Sequence, residues 1–138
     1  TIDLAVATSS KRTALAASDV YQCLNIPAES VILHAGMEVT EALTGTSSDT
    51  AFDLGITGGD VDNFVDGFDV DGASAGAYAP TPAAYAPVIV GAADTLDILV
   101  QAQTGTTLTG KIRVFATLMD ISDAGDMAAN EVDRDTLA

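Results

Sequence analysis

Cysteine occurs once in this chain, at Cys23, and tryptophan not at all. One thiol cannot close an internal disulfide, so the fold has to stand on packing alone. Basic residues are scarce too: five Lys and Arg face 20 Asp and Glu, for a formal net charge of −15. A field of that sign repels phosphates and anionic lipid heads, which argues against direct binding of nucleic acid or a membrane surface. It favours solubility and tolerates salt, and an acidic, Lys-poor surface is what a halophilic or marine protein shows. The apolar runs are far shorter than the roughly twenty residues of a membrane-crossing helix. No basic stretch leading into an apolar one opens the chain, so no secretory leader is read there. A first residue Thr1 fits removal of an initiator Met or trimming of a longer precursor.

What is present is a chain of 138 residues, 48% of them hydrophobic, which suits one domain with a sizeable core. Its dominant pattern is alternation with period two. "SDVYQCLNIP" sets Val20, Gln22, Leu24 and Ile26 against Tyr21, Cys23 and Asn25. "ESVILHAGMEVTEAL" predicts a long half-buried strand with Val31, Leu33, Ala35, Met37 and Val39 on one face, bulged near Gly36. "TAFDLGIT", "TLDILVQAQ" and "KIRVFATLMDIS" alternate likewise, with turn residues between them. These signals predict an all-β fold, a β-sandwich or jelly roll. Residues 1–17 read as an arm or first edge strand, 18–122 as the sandwich domain, and 123–138 as an acidic tail. Residues 73–87, "ASAGAYAPTPAAYAP", read as a long surface loop.

The stretch "GGDVDNFVDGFDVDG", residues 58–72, holds five Asp and four Gly. An EF-hand loop needs oxygen ligands at its first, third and fifth positions, Gly at the sixth and Glu at the twelfth. With Gly67 sixth, Phe64 falls third and Ala73 twelfth; with Gly72 sixth, Gly67 falls first and Tyr78 twelfth. Neither register works. Val61, Phe64, Val65 and Phe68 follow i, i+3, i+4, i+7, which predicts a short helix over 61–68 with Asp60 as N-cap and the two Phe as anchors. The competing reading is a cation site of another kind, drawn from Asp60, Asp62, Asp66, Asp69 and Asp71. No catalytic set emerges. His34 is the one histidine, Cys23 lies in an apolar strand pattern, and no G-x-S-x-G, H-E-x-x-H or phosphate-loop pattern occurs. No catalytic residue and no cofactor site is therefore predicted. Lys11, Arg12, Tyr78 and Tyr85 are the candidate partner-binding residues: two cations in an acidic chain, and two aromatics in a loop.

The order of elements carries a resemblance. "LNIPAESVI", "LHAGMEVTEAL", "FDLGITGGDVDNFVDGFDV" and "DTLDILVQAQTGTTLTGKIRVFATLMDIS", roughly residues 18–122, resemble small virion proteins of tailed bacteriophages, the head decoration or cement proteins. Asp53–Val70 is the most specific part, and Glu29 stands where that pattern carries Gly. The resemblance implies a structural, non-enzymatic β-sandwich on the outer surface of the capsid, made in the host cytoplasm. It further implies a homotrimer bound to the major capsid protein of the same virion. A head-fibre or tail component is the alternative place in the virion. A carbohydrate-binding adhesion module is the alternative of another class, and would need exposed aromatics.

Overall fold

The computed structural model describes residues 1–4, 15–45, 49–56 and 58–122, less the side chains of 107 and 108. Lys11, Arg12 and the acidic stretch 123–138 lie outside the described residues. The strands are β1 (Ile2–Asp3), β2 (Val20–Ile26), β3 (Ser30–Gly45), β4 (Asp49–Ile56), β5 (Val65–Asp69), β6 (Tyr78–Pro80), β7 (Val88–Val90), β8 (Asp94–Thr104) and β9 (Thr107–Asp120). They form two antiparallel sheets. One has the order β1-β9-β3-β6, with β7 also on β3, and the other β2-β8-β4-β5. If β6 and β7 are taken as two pieces of one edge strand, this is the strand order of a jelly roll. Successive strands cross between the sheets except at the β4–β5 connection. The predicted sandwich is what the chain forms.

The core lies between the sheets. Ile32, Ala35, Met37, Val39 and Ile112 of one sheet are fully buried, as are Phe52, Leu54, Leu96 and Val100 of the other. Leu4 and Leu15, on either side of the stretch 5–14, are buried as well.

The long strand β3 departs from strict alternation, with register shifts against β9 after Ile32, Val39, Glu41 and Thr44, and the first bears on the predicted faces. Its ladder with β9 slips between Ile32 and His34, so Leu33 is the extra residue. Before the slip, Ser30 and Ile32 face the core; after it, Ala35, Met37 and Val39 do. Leu33 is pushed outward and stands 40% exposed. The predicted placement of the bulge at Gly36 and of Leu33 on the inner face is thus corrected. Gly36 has another reason to be glycine: a Cβ there would come within 2.7 Å of both the Ala79 carbonyl and the Phe115 ring. β2 shows the same effect, slipping at Cys23. Val20 and Gln22 point out while Leu24 and Ile26 turn in.

The second correction is the predicted helix at 61–68. Residues 61–64 turn, and β5 begins at Val65. The reason lies on β4. Gly55 has no side chain, and the chain at 60–61 lies directly over it: a Cβ at Gly55 would meet the Asp60 carbonyl at 2.2 Å. The Ile56 amide donates to the Asp60 carbonyl at 2.9 Å and the Phe64 amide to the Leu54 carbonyl at 2.9 Å. Asp60 therefore caps no helix; its backbone seals the end of β4. Sheet pairing overrides the 3.6-residue period, helped by Gly67 in a left-handed conformation at φ 65°. Of the two expected anchors, Phe64 is fully buried and Phe68 is half-buried.

The loop at 81–87 completes the free edge of β3. β7 pairs with residues 30–32 and β6 with 36–38, leaving a gap. Thr81 fills it: its Oγ accepts from the Ala35 amide at 2.8 Å and donates to the Ala35 carbonyl. The Tyr85 hydroxyl donates to the Ile32 carbonyl at 2.8 Å and accepts from the Val88 amide at 3.1 Å.

Glu29 takes φ 56°, a backbone region that suits glycine. A left-handed residue with a Cβ costs roughly 1–2 kcal/mol, so Glu29→Gly is expected to raise stability by about 1 kcal/mol in urea unfolding. Phe64→Ala removes a fully buried ring and is expected to cost about 3–5 kcal/mol. Phe68→Ala, half-buried, should cost clearly less; equal losses would show that the two rings do the same packing.

Candidate functional site

The aspartate stretch bears most directly on chemistry, and the structure shows what its carboxylates hold. Two residues of β5, Asp66 and Gly67, stand opposite the single residue Asp53 of β4. Asp53 is buried, and its Oδ1 accepts the Gly67 amide at 2.7 Å. The carboxylate takes up the N–H that the bulge turns away from the ladder. Asp66 Oδ1 accepts from Gln101 Nε2 on β8 at 3.0 Å. Asp71 Oδ2 accepts the Thr50 amide at 2.7 Å, and Asp69 Oδ1 the Asp71 amide at 2.9 Å, closing the turn after β5. These four carboxylates are thus bound to backbone or side-chain donors of their own sheet and its turns.

Asp60 and Asp62 differ. They face each other on the surface, and the Asp62 carboxyl is raised above its ordinary value by a hydrogen bond with Asp60 and by its charge. With Asp66 they line one side of an open hollow of about 530 Å³, walled on the other side by Tyr85 and Val88. Among the described residues no three His, Cys, Asp or Glu side chains converge as a metal site would require. Asp60, Asp62, Asp66, Asp69 and Asp71 are therefore spread along a turn, a strand and a second turn rather than gathered.

Cys23 and His34 do not meet. The Cys23 thiol donates to the Tyr21 carbonyl at 3.0 Å, and burial pushes its pKa up to about 11, which disfavours the nucleophilic thiolate. His34 stacks on Phe115 on the outer face of the first sheet, ring centres 5.9 Å apart.

That outer face is the most distinctive surface. Strand register lays its side chains out in rows. Ile89, Val31 and Met119 stand side by side across β7, β3 and β9; so do Pro80, Gly36 and Phe115, and then Tyr78, Glu38 and Arg113. Ile89 is 69% exposed and Tyr78 64%, with Leu33, Met119 and Ile121 each at least 40%. A cluster of exposed large apolar side chains of this kind marks contact surfaces. The cations of this face are already paired. Arg113 donates through Nε to Glu38 at 3.1 Å and through a second nitrogen to the same oxygen. Lys111 lies 2.6 Å from Glu41 and 4.0 Å from Asp3. Of the candidate partner-binding aromatics, Tyr78 is open on this face. Tyr85 is turned inward, tilted on Phe64 at 5.2 Å with its hydroxyl committed to the edge of β3. Sequence reasoning missed Leu33 and Ile89, because a bulge exposes one and a three-residue strand carries the other.

No protein-family model matches the chain, and no curated protein does. Among solved structures the fold is similar to a chain in the capsid of Ralstonia phage GP4. The TM-score is 0.56 and the sequence identity 19%, and the match covers 78% of this chain and 76% of that one. At that identity the likeness is one of fold.

Asp53 yields a pH test. Burial and the nearby Asp66 raise its carboxyl above the ordinary range, against the lowering pull of the Gly67 amide. With the folded pKa above the unfolded one, the folded state binds the extra proton. Its stabilising contribution is present below the ordinary carboxylate value and lost as pH rises through the raised folded value. Asp53→Asn keeps an oxygen for Gly67 without the charge. Denaturant unfolding between pH 7 and pH 4 should show wild type gaining on Asp53→Asn as the pH falls. Asp53→Ala strands the Gly67 amide and should cost about 1–3 kcal/mol. A stability difference that ignores pH would sink this assignment.

Proposed function

We propose that this protein is a structural component of a virion, attached to the outer surface of the capsid as a decoration or cement protein. The observation that carries this is the fold match to a chain of a phage capsid across most of both chains. The pattern in residues 53–70 points the same way independently, since identity to the matched chain is only 19%. The arrangement of side chains supports a passive part. Its carboxylates hold turns and a bulge, its thiol is protonated, and its histidine lies flat on a phenylalanine.

The attachment is apolar. Lys111 and Arg113 are held by carboxylates of their own sheet, so neither is a spare cation for an acidic partner. Ile89 and Leu33 supply the contact on the β3 and β7 side of the outer face, with Tyr78 at its far end. The other sheet, with Asp66 and Asp69 exposed on β5, is turned to solvent in this arrangement. A bound copy stabilises the assembled shell by mass action, and many copies acting together need contribute only a few kcal/mol each. The adhesion alternative is weakened, because one of its two loop aromatics is packed inward.

The test is addition of purified protein to particles assembled without it. Wild type should saturate the shell and raise the temperature at which packaged DNA is released. Ile89→Asp should fold normally and lower occupancy sharply. Deleting 1–17 is a poor probe, because it removes Leu4 and Leu15 from the core. If bare and decorated particles release DNA at the same temperature, or if Ile89→Asp decorates fully, the cement reading fails.

A further inference from the structure

Resting on the decoration reading, we propose that attachment through the outer face of the first sheet is released by acid, and that His34 is the group that responds. Along β3 the outward rows run from Val31, beside Ile89 of β7, through His34 and Gly36 to Glu38, beside Tyr78 of β6. Ile89 and Tyr78 are the most exposed large apolar side chains among the described residues. A partner that touches both has to cover His34, which lies between them.

The imidazole is fixed in place. Gly36 has no Cβ, and the Phe115 ring lies across it, where a Cβ would meet that ring at 2.7 Å. His34 stacks on the same ring with the two planes 18° apart. It is half-buried, so water still reaches it in the free module. An imidazolium is tolerated there, because the face of a phenyl ring attracts a cation.

Once a partner excludes that water, the described residues of this face supply no carboxylate beside the ring. The rows on either side, Ile89–Val31–Met119 and Pro80–Gly36–Phe115, carry no charge. Further along β3, Glu38 is bonded twice by Arg113 of β9, and Glu41 by Lys111, which also lies 4.0 Å from Asp3 of β1. At the other end, Glu29 and Asp120 stand beyond Val31 and Met119, and Asp120 Oδ1 accepts the Ser122 amide at 2.8 Å. Residues 73–93, which run through β6 and β7, hold no charged residue. Their titratable groups are Tyr78, opposite Glu38, and Tyr85, bonded to the Ile32 carbonyl. Docking therefore takes the imidazole out of water with no counter-charge, and desolvation disfavours its charged form. The free module binds the extra proton. Attachment is full above the range in which imidazoles titrate, about pH 5 to 8, and weakens as pH falls through it. His34 is the one histidine of the chain. The raised carboxylates Asp53 and Asp62 belong to the other sheet and to the turn before β5.

The test is binding of the purified full chain to particles assembled without it, at about pH 7.5 and about pH 5.5 and at equal ionic strength. Wild type should bind about tenfold more weakly at the lower pH and rebind when the pH is restored, since one proton changes affinity by at most about tenfold per pH unit. His34→Gln and His34→Phe take no proton in this range, and their affinities should change by less than about twofold. His34→Lys is charged at both values and should bind weakly at both. Failure of wild type to bind at about pH 7.5 would sink the decoration reading itself. Wild type that binds at about pH 7.5 and equally well, or more tightly, in acid overturns the acid release alone. So do His34→Gln and His34→Phe variants released as readily as wild type, whether through unfolding or through groups of the shell.

Discussion

Register on β3 is the constraint from which the rest of the molecule follows. Side chains on a strand alternate strictly, so a slip of one residue exchanges inside for outside along everything beyond it. Without the extra residue at Leu33, Ser30 and Ile32 could not face the core together with Ala35, Met37 and Val39. The same slip creates the surface. Leu33 is exposed because it is the inserted residue, and His34, next to it opposite Thr117, lies on Phe115. One irregularity thus sets the core of the longest strand and the apolar character of the outer face together.

The free edge of β3 shows how a short, proline-rich loop serves a sheet. Pro80, Pro82 and Pro87 lack amide donors, which limits regular pairing along 80–87. Two side chains stand in. Thr81 gives Ala35 both a donor and an acceptor, and the Tyr85 hydroxyl bridges Ile32 and Val88. A buried strand edge must have its polar groups paired, and here the loop's composition supplies what its backbone cannot. This is why Tyr85, although it sits in a loop, belongs to the architecture, while Tyr78, on a strand, is the exposed aromatic.

Much of this was legible in the sequence, and the failures have physical causes. Period-two alternation revealed the sandwich, since each long strand has one covered face. Alternation cannot reveal where a strand slips, because bulge residues such as Cys23 and Leu33 look like any others in the pattern. The helix expected at 61–68 failed because Val61, Phe64, Val65 and Phe68 are buried by two different means. Phe64 is anchored from a turn and Val65 from a strand, an arrangement permitted because Gly55 has no side chain where the backbone of 60–61 lies over it. Glu29 was readable in outline: a position where the pattern of the resembled proteins carries Gly takes a left-handed conformation. The contact surface was nearly invisible, because Ile89 is exposed by tertiary structure and not by its neighbours in sequence.

The distribution of charge connects the fold to its proposed place in a virion. A jelly roll by itself serves capsid proteins, lectins and enzymes alike, so the fold narrows little. What distinguishes this one is the difference between its two outer faces. On the first sheet, Lys111 and Arg113 are matched by Asp3, Glu38 and Glu41, and Leu33, Tyr78, Ile89 and Met119 stand exposed beside them. On and around the second, Asp60, Asp62, Asp66 and Asp69 stand exposed. A particle coated with such modules turns an acidic surface to the medium, which keeps particles apart by mutual repulsion. The same repulsion acts between neighbouring modules, so their contacts must lie where charge is absent or already neutralised. The outer face of the first sheet, with its cations paired and its apolar side chains exposed, meets that condition.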